Sequence, residues 1–287
     1  MEAIADFLLE PFRLSFMVRA LLISVLIGVL CPIVGCYVIT RGLAFLSDAI
    51  AHAVMPGMVL SLLLGLNPLL GTIPAGIAVA FLVGSVSRRT GVGEDTAIGL
   101  TYVGLFAAGV IMLKFAHGAT PVNLEDLLIG QVLAVSADDV LATVAMTVVV
   151  LGVLYAFHKE LVFTSFDPIG ARVIGINVAA IDYLLLALIA LVVIIALQAV
   201  GVVLVVAMIV APAAAASQLT HKLTSMMAMA AAFGAATAVV GLYASYYLNL
   251  PSGPSVTLAA IGVFACASLA RRWSPGLHRQ VGKQQGA

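Results

Sequence analysis

LAFLSDAIAHAVMPG, running from Leu43 to Gly57, is apolar apart from Ser47, Asp48 and His52. Asp48 and His52 are four residues apart, which on a helix puts them on one face with Cβ atoms ~5–6 Å apart. A carboxylate and an imidazole in that arrangement can share one metal ion, or can hydrogen-bond to each other and pack two helices. The surrounding chain decides between these uses. An ionisable group near the centre of a membrane span costs ~2.5–3.5 kcal/mol on insertion scales, and such groups mark transport paths. Asp48 follows Arg41 by seven residues, so a continuous helix carries it ~10 Å inward, with His52 one turn deeper. Pro56 cannot donate to the carbonyl four residues before it, that of His52. Helices broken in this way are tolerated at membrane depth where they line a cavity.

The rest of the chain supplies the membrane. Of 287 residues, 63% are hydrophobic and 9% charged, and the mean hydropathy is +1.21. Soluble domains carry ~25% charged residues, so the composition is that of a polytopic, all-α membrane protein. The net charge of zero excludes a nucleic-acid-binding surface as the organising feature. Cys31, Cys36 and Cys266 lie in apolar runs and read as small hydrophobes. The spacing of Cys31 and Cys36 puts them off a common helical face. The first residues, 1–16, with Asp6, Glu10 and Pro11, read as a short interfacial segment rather than a cleavable signal.

A span needs ~20 mainly apolar residues. Nine segments qualify: Met17–Thr40, Leu43–Leu66, Leu69–Ser87, Thr96–Leu113, Val140–Phe157, Ile181–Leu197, Val200–Ser217, Met226–Leu248 and Val256–Ala270. The uncharged run from Leu184 to Ser217 would stretch ~50 Å as one helix, so it is divided at Gln198–Gly201 as a tight turn or a re-entrant break. Nine spans with the N-terminus outside place ten basic residues inside: Arg41, Arg88, Arg89, Lys159, Arg172, Lys222, Arg271, Arg272, Arg279 and Lys283. Three, Arg13, Arg19 and Lys114, fall outside. That asymmetry satisfies the positive-inside rule, with 271–287 a cytoplasmic tail. The remaining acids and histidines, Asp182, His158 and Glu160 among them, fall at span ends or in loops, where a solvated end or a cap is the expectation.

Between the fifth and sixth spans, SFDPIGARVIGIN covers residues 165–177. Asp167 suits an N-cap, Pro168 a first helical position and Gly175 a C′ stop. The pattern predicts a helix of ~7 residues, too short to span, on the inner face. The chain has no G-x-x-x-x-G-K-[ST], so ATP hydrolysis would require a separate subunit. It also lacks H-E-x-x-H and G-x-S-x-G, leaving a membrane hydrolase without machinery.

These residues resemble the membrane permease subunits of bacterial manganese, zinc and iron ABC importers. Pro11-Phe12 with Phe16 to Ala20 is similar to that family's opening. Arg41 to Gly57 is similar to its most specific motif, where glycine is common at the position of Ser47. Phe166-Asp167-Pro168 with Ala171 and Gly175 looks like its coupling helix. Gln198 to Met208, then Ala211 to Ala214, resembles its seventh-span signature, nearer to manganese than to zinc members. The resemblance covers almost all of the chain as one permease domain, 1–287. It implies a multi-pass protein of the bacterial plasma membrane, paired with a second permease copy or paralogue. It further implies cytosolic ABC ATPase subunits and an extracytoplasmic metal-binding protein as partners. By the same resemblance Asp48 and His52 are ligands of the transported divalent metal, Mn2+ or Zn2+, with no permanently bound cofactor. Asp167, Pro168, Ala171 and Gly175 then form the ATPase contact. A proton-coupled secondary divalent-metal transporter, with Asp48 and His52 as a relay, is the competing reading.

Overall fold

The computed structural model describes residues 15–116 and 137–273. Among them the regular structure is helical throughout, in chain order α1 Ser15–Thr40, α2 Leu46–Ala53, α3 Met55–Leu63, α4 Pro68–Thr90, α5 Glu94–Ala116 and α6 Ala137–Ala156, then α7 His158–Phe166, α8 Pro168–Val173, α9 Val178–Val200, α10 Val202–Leu219, α11 Leu223–Leu248 and α12 Ser252–Trp273. Among the described residues eight stretches are long and apolar enough to cross a membrane, with α2 and α3 together forming one of them. The pair α6 and α7, bent by 64° where they meet, makes a ninth. The expected interfacial segment falls outside the described residues except for Ser15 and Phe16, which open α1. Of the expected cytoplasmic tail only Arg271 to Trp273 is described, as the end of α12.

Local chemistry sets several helix ends. Asn67 caps α4 by accepting from the Leu69 N–H at 2.9 Å, with Pro68 at the first position. The expected division near Gln198 falls at a single residue, Gly201, whose φ of +84° ends α9 and starts α10. That value belongs to the region that favours glycine.

One buried apolar cluster draws on α1, α2, α4, α5, α6, α7 and α9 to α12. Helix α1 packs mainly against α11 and α10, while α9 packs mainly against α4. In hydrocarbon, helices gain from close backbone approach more than from apolar burial, and small residues at the crossing permit it. At the α1–α11 crossing a Cβ on Gly28 would lie 2.7 Å from the carbonyl oxygen of Gly234. The short helix α2 lies between these groups and touches α5, α9, α10 and α4.

Candidate functional site

Asp48 lies in the first turn of α2 and His52 in its last. The expected start of the helix that carries Asp48 needs correction. Residues 41–45 form a turn rather than helix, closed by the Leu43 N–H donating to the Val38 carbonyl at 2.9 Å. Gly42 takes φ +73° there. Asp48 is therefore only two residues, ~3 Å of rise, beyond the start of its own helix. Its side chain is 43% exposed and that of His52 22%. The carboxylate of Asp48 opens out of the single chain, and the imidazole is held inside it.

His52 Nδ1 is 3.0 Å from the backbone oxygen of Asp48 and 3.6 Å from its Oδ1. A carbonyl only accepts, so the hydrogen bond makes Nδ1 the donor and, in the neutral ring, leaves the lone pair on Nε2. The ring is walled by α5. Tyr102 and Phe106 meet it edge-on, with centroids at 5.7 and 5.8 Å. One turn further along α5, Gly109 faces the backbone at the break. A Cβ on Gly109 would lie 3.0 Å from Met55 Cβ and 3.1 Å from the Pro56 nitrogen. Tyr102, Phe106 and Gly109, at spacings of four and three, thus present one face of α5 to the α2–α3 junction. The junction is Val54, where α2 stops and α3 begins with Pro56 in its first turn. Pro56 withholds the N–H that a continuous helix would have aimed at the His52 carbonyl.

Among the described residues no third histidine, cysteine or acid joins Asp48 and His52 in a group able to hold a metal. The pair can supply at most one carboxylate and one imidazole nitrogen, which leaves the coordination shell open. Sequence reasoning missed the aromatic wall, because Tyr102 and Phe106 lie in an apolar run with nothing to mark them.

A second polar group gathers the helix ends near Arg41. Arg41 donates from Nη1 to Asp182 Oδ1 at 2.6 Å, from Nε to Ser165 Oγ at 2.9 Å and from Nη2 to Thr164 Oγ1 at 3.0 Å. Arg88 Nη2 reaches Asp182 Oδ2 at 2.7 Å, and its guanidinium lies 5.0 Å from the centre of the Tyr183 ring. The expectation of a solvated end for Asp182 is therefore wrong, since two guanidinium groups occupy both of its carboxylate oxygens. His158, expected in a loop, opens α7, and its Nδ1 pairs with the Tyr37 hydroxyl at 2.9 Å.

Helix α8 follows directly. The Asp167 side chain accepts from the Gly170 N–H at 2.8 Å, Pro168 is at the first position, and Gly175 has φ +88° just past the end. Ala171 is buried while Ile169 and Val173 are 75% and 82% exposed. An apolar face on so short a helix is left open in the single chain.

Comparison with known proteins agrees with this architecture. The sequence profile of the ABC 3 transport family matches residues 13–271. A manganese transport system membrane protein, MntC, from Listeria monocytogenes is 41% identical over 92% of this chain and 93% of its own. A probable iron transport system membrane protein from Haemophilus influenzae is 34% identical over 91% of this chain and 96% of its own. Among solved structures, PsaBC from Streptococcus pneumoniae in complex with Fab superposes with a TM-score of 0.80 at 36% identity, covering 92% of this chain and 95% of that one. With matches of this extent in profile, sequence and fold, the chain belongs to the ABC 3 transport family.

Proposed function

We propose that this ABC permease subunit carries Mn2+ into the bacterial cytoplasm, with Asp48 and His52 as the ligands that pass the ion along. Membership of the family makes the chain a metal-transport subunit of the plasma membrane, not an enzyme. The observation that carries the metal assignment is the placement of Asp48 and His52 on the short helix before a proline break. A carboxylate suits hard divalent ions and an imidazole suits borderline ones, so the pair fits manganese and iron alike. Manganese is preferred because the more similar of the two relatives is named for it, and the other is named for iron. The zinc expectation draws no support from either. Two ligands with an open shell fit cargo that must leave again, since an ion in a full cage would not be released. Water or a second copy of the chain would complete the shell at the exposed Asp48 carboxylate.

The remaining assembly belongs to the same proposal. The chain has no phosphate-binding loop of its own, so ATP-driven movement enters through a cytosolic ATPase. The open face of α8, with Ile169 and Val173 outermost, is the natural contact. With the N-terminus outside, Arg41, Arg88 and α8 lie on the cytoplasmic side, a placement that the distribution of basic residues supports. The test is metal accumulation in cells expressing Asp48→Ala or His52→Ala at matched levels of assembled complex. Both variants are expected to lose uptake. Uptake at the unsubstituted level in both would remove the ligand assignment. Uptake that follows an imposed proton gradient and needs no ATP would instead favour a secondary transporter.

A further inference from the structure

We infer that Arg41 is the joint that carries movement of α8 to the Asp48–His52 helix, which makes it a positioning residue for coupled transport. The inference rests on the proposed cargo site and on the proposed ATPase contact at α8. It does not follow from either, because a permease could join these elements at many points.

The geometry singles out Arg41 on two sides. Along the chain, Arg41 follows α1 directly and leads through the Gly42 turn into α2, seven residues before Asp48. Through space, its guanidinium binds Thr164 and Ser165 at the far end of α7 and Asp182 in the first turns of α9. Thr164 and Ser165 are separated from α8 by only Phe166 and Asp167, and Asp167 is the cap of α8. The two hydroxyl acceptors are themselves fixed, Ser165 Oγ donating to the Leu161 carbonyl at 2.6 Å and Thr164 Oγ1 to the same carbonyl at 3.3 Å. A second tie, Tyr37 to His158, holds the start of α7 to the last turns of α1. Helix α7 is thus pinned at its start to α1 and at its far end to Arg41 just past α1, and α8 follows it directly.

The chemistry of arginine suits the role. Its donors form a rigid planar fork, so one side chain can fix the relative positions of three elements. Its side chain is 14% exposed and that of Asp182 25%. In that setting a displacement of α7 or α9 breaks hydrogen bonds that water only partly replaces, which makes the arrangement sensitive to displacement. Arg88 takes the second oxygen of Asp182, so Asp182 retains one cationic partner when Arg41 is changed. The contacts of Arg41 to α7 are therefore separable from the charge balance of Asp182.

The experiment measures manganese accumulated per ATP hydrolysed by the complex of this permease with its ATPase and binding protein, reconstituted in vesicles. Thr164→Val combined with Ser165→Ala removes the α7 contacts and keeps the Arg41–Asp182 ion pair. Arg41→Gln removes both, and Arg41→Lys restores the ion pair without the fork. The ratio is expected to fall ~tenfold in Arg41→Gln and in the double variant, and to fall with them in Arg41→Lys, whose ion pair survives without the fork to α7. A purely structural role would lower the amount of complex and leave the ratio unchanged. A ratio within about twofold of the unsubstituted complex, in whichever of these variants assembles, overturns the inference. Asp48→Ala in the same preparation separates the premises. Its loss of uptake beside an unchanged ratio in the Arg41 variants removes the joint alone, whereas its full uptake removes the cargo site and this inference with it.

Discussion

Replacing Phe106 by leucine tests whether the wall of α5 orients the cargo ligand. The His52 ring is held by the hydrogen bond from Nδ1 to the Asp48 carbonyl and by two edge-on aromatic contacts, from Tyr102 and Phe106. An aromatic pair of this kind contributes ~0.5–1.5 kcal/mol beyond its area. Leucine keeps most of the volume against Met55 and Val59, with which Phe106 packs, so the folding cost stays below ~1.5 kcal/mol. What is lost is the edge contact. If that energy holds the Nε2 lone pair toward the ion, the free ring spends most of its time misaligned. The loss then appears as a ~2–10-fold fall in maximal transport rate, at ~1.4 kcal/mol per factor of ten. The assay is manganese uptake at saturating external binding protein, normalised to assembled complex. Tyr102→Phe is the internal contrast, because it keeps both rings and should transport at close to the original rate. An unchanged rate in Phe106→Leu, beside a dead His52→Ala, would refute the idea that the wall positions the histidine.

Three further outcomes are expected. Pro56→Ala returns an N–H to the His52 carbonyl and straightens the α2–α3 junction, a change of ~0.5–1.5 kcal/mol in favour of the helix; thermal stability in detergent should hold or rise while uptake falls, and undiminished uptake would show that the break is incidental. Asp167→Ala removes the cap of α8, worth ~0.5–2 kcal/mol locally, so co-purification of the ATPase should weaken; equal recovery of the ATPase would argue that α8 is not the contact. Cysteines at Ile169 and Val173 should react with a membrane-impermeant reagent in inverted vesicles only, and labelling from outside intact cells would overturn both the orientation and the docking role.

What could be read from the sequence is what local chemistry decides. The break within Gln198–Gly201 and the Asp167-Pro168 start of α8 each depend on a few adjacent residues, and both are legible in the sequence. The start of a span is harder to read. Apolar composition does not distinguish a turn from a helix, so the apolar run containing Asp48 begins at Leu43, whereas the Gly42 turn uses up residues 41–45 before α2 starts. The fifth segment ends at Phe157, where α6 gives way to α7, but the continuation of the chain as a second helix bent by 64° is not written in Phe157-His158, which has neither proline nor glycine. Tertiary convergence was out of reach altogether. Asp182 is 141 residues from Arg41 in the chain, and nothing near it indicates that the ends of α1, α4 and α9 meet there.

The error over Asp182 sharpens the case for Asp48. A carboxylate can take a divalent cation only with oxygen lone pairs that are not already committed to protein cations. Asp182 has a guanidinium on each oxygen, at 2.6 and 2.7 Å, so a metal there would have to displace two arginines whose charge it would then face. Asp48 has an imidazole nitrogen 3.6 Å away and no arginine or lysine partner among the described residues. That imidazole is tied to a backbone carbonyl, which leaves its other nitrogen as the electron-pair donor. Under the proposed function the two acids serve opposite uses: Asp182 ties helix ends together through Arg41 and Arg88, and Asp48, with no arginine or lysine partner among the described residues, meets the cargo beside His52. The four-residue spacing alone could not separate a structural Asp–His pair from a cargo site. In the proposed reading the 43% exposed carboxylate of Asp48 is the group left for the cargo, because His52 Nδ1 already donates to the Asp48 backbone carbonyl at 3.0 Å.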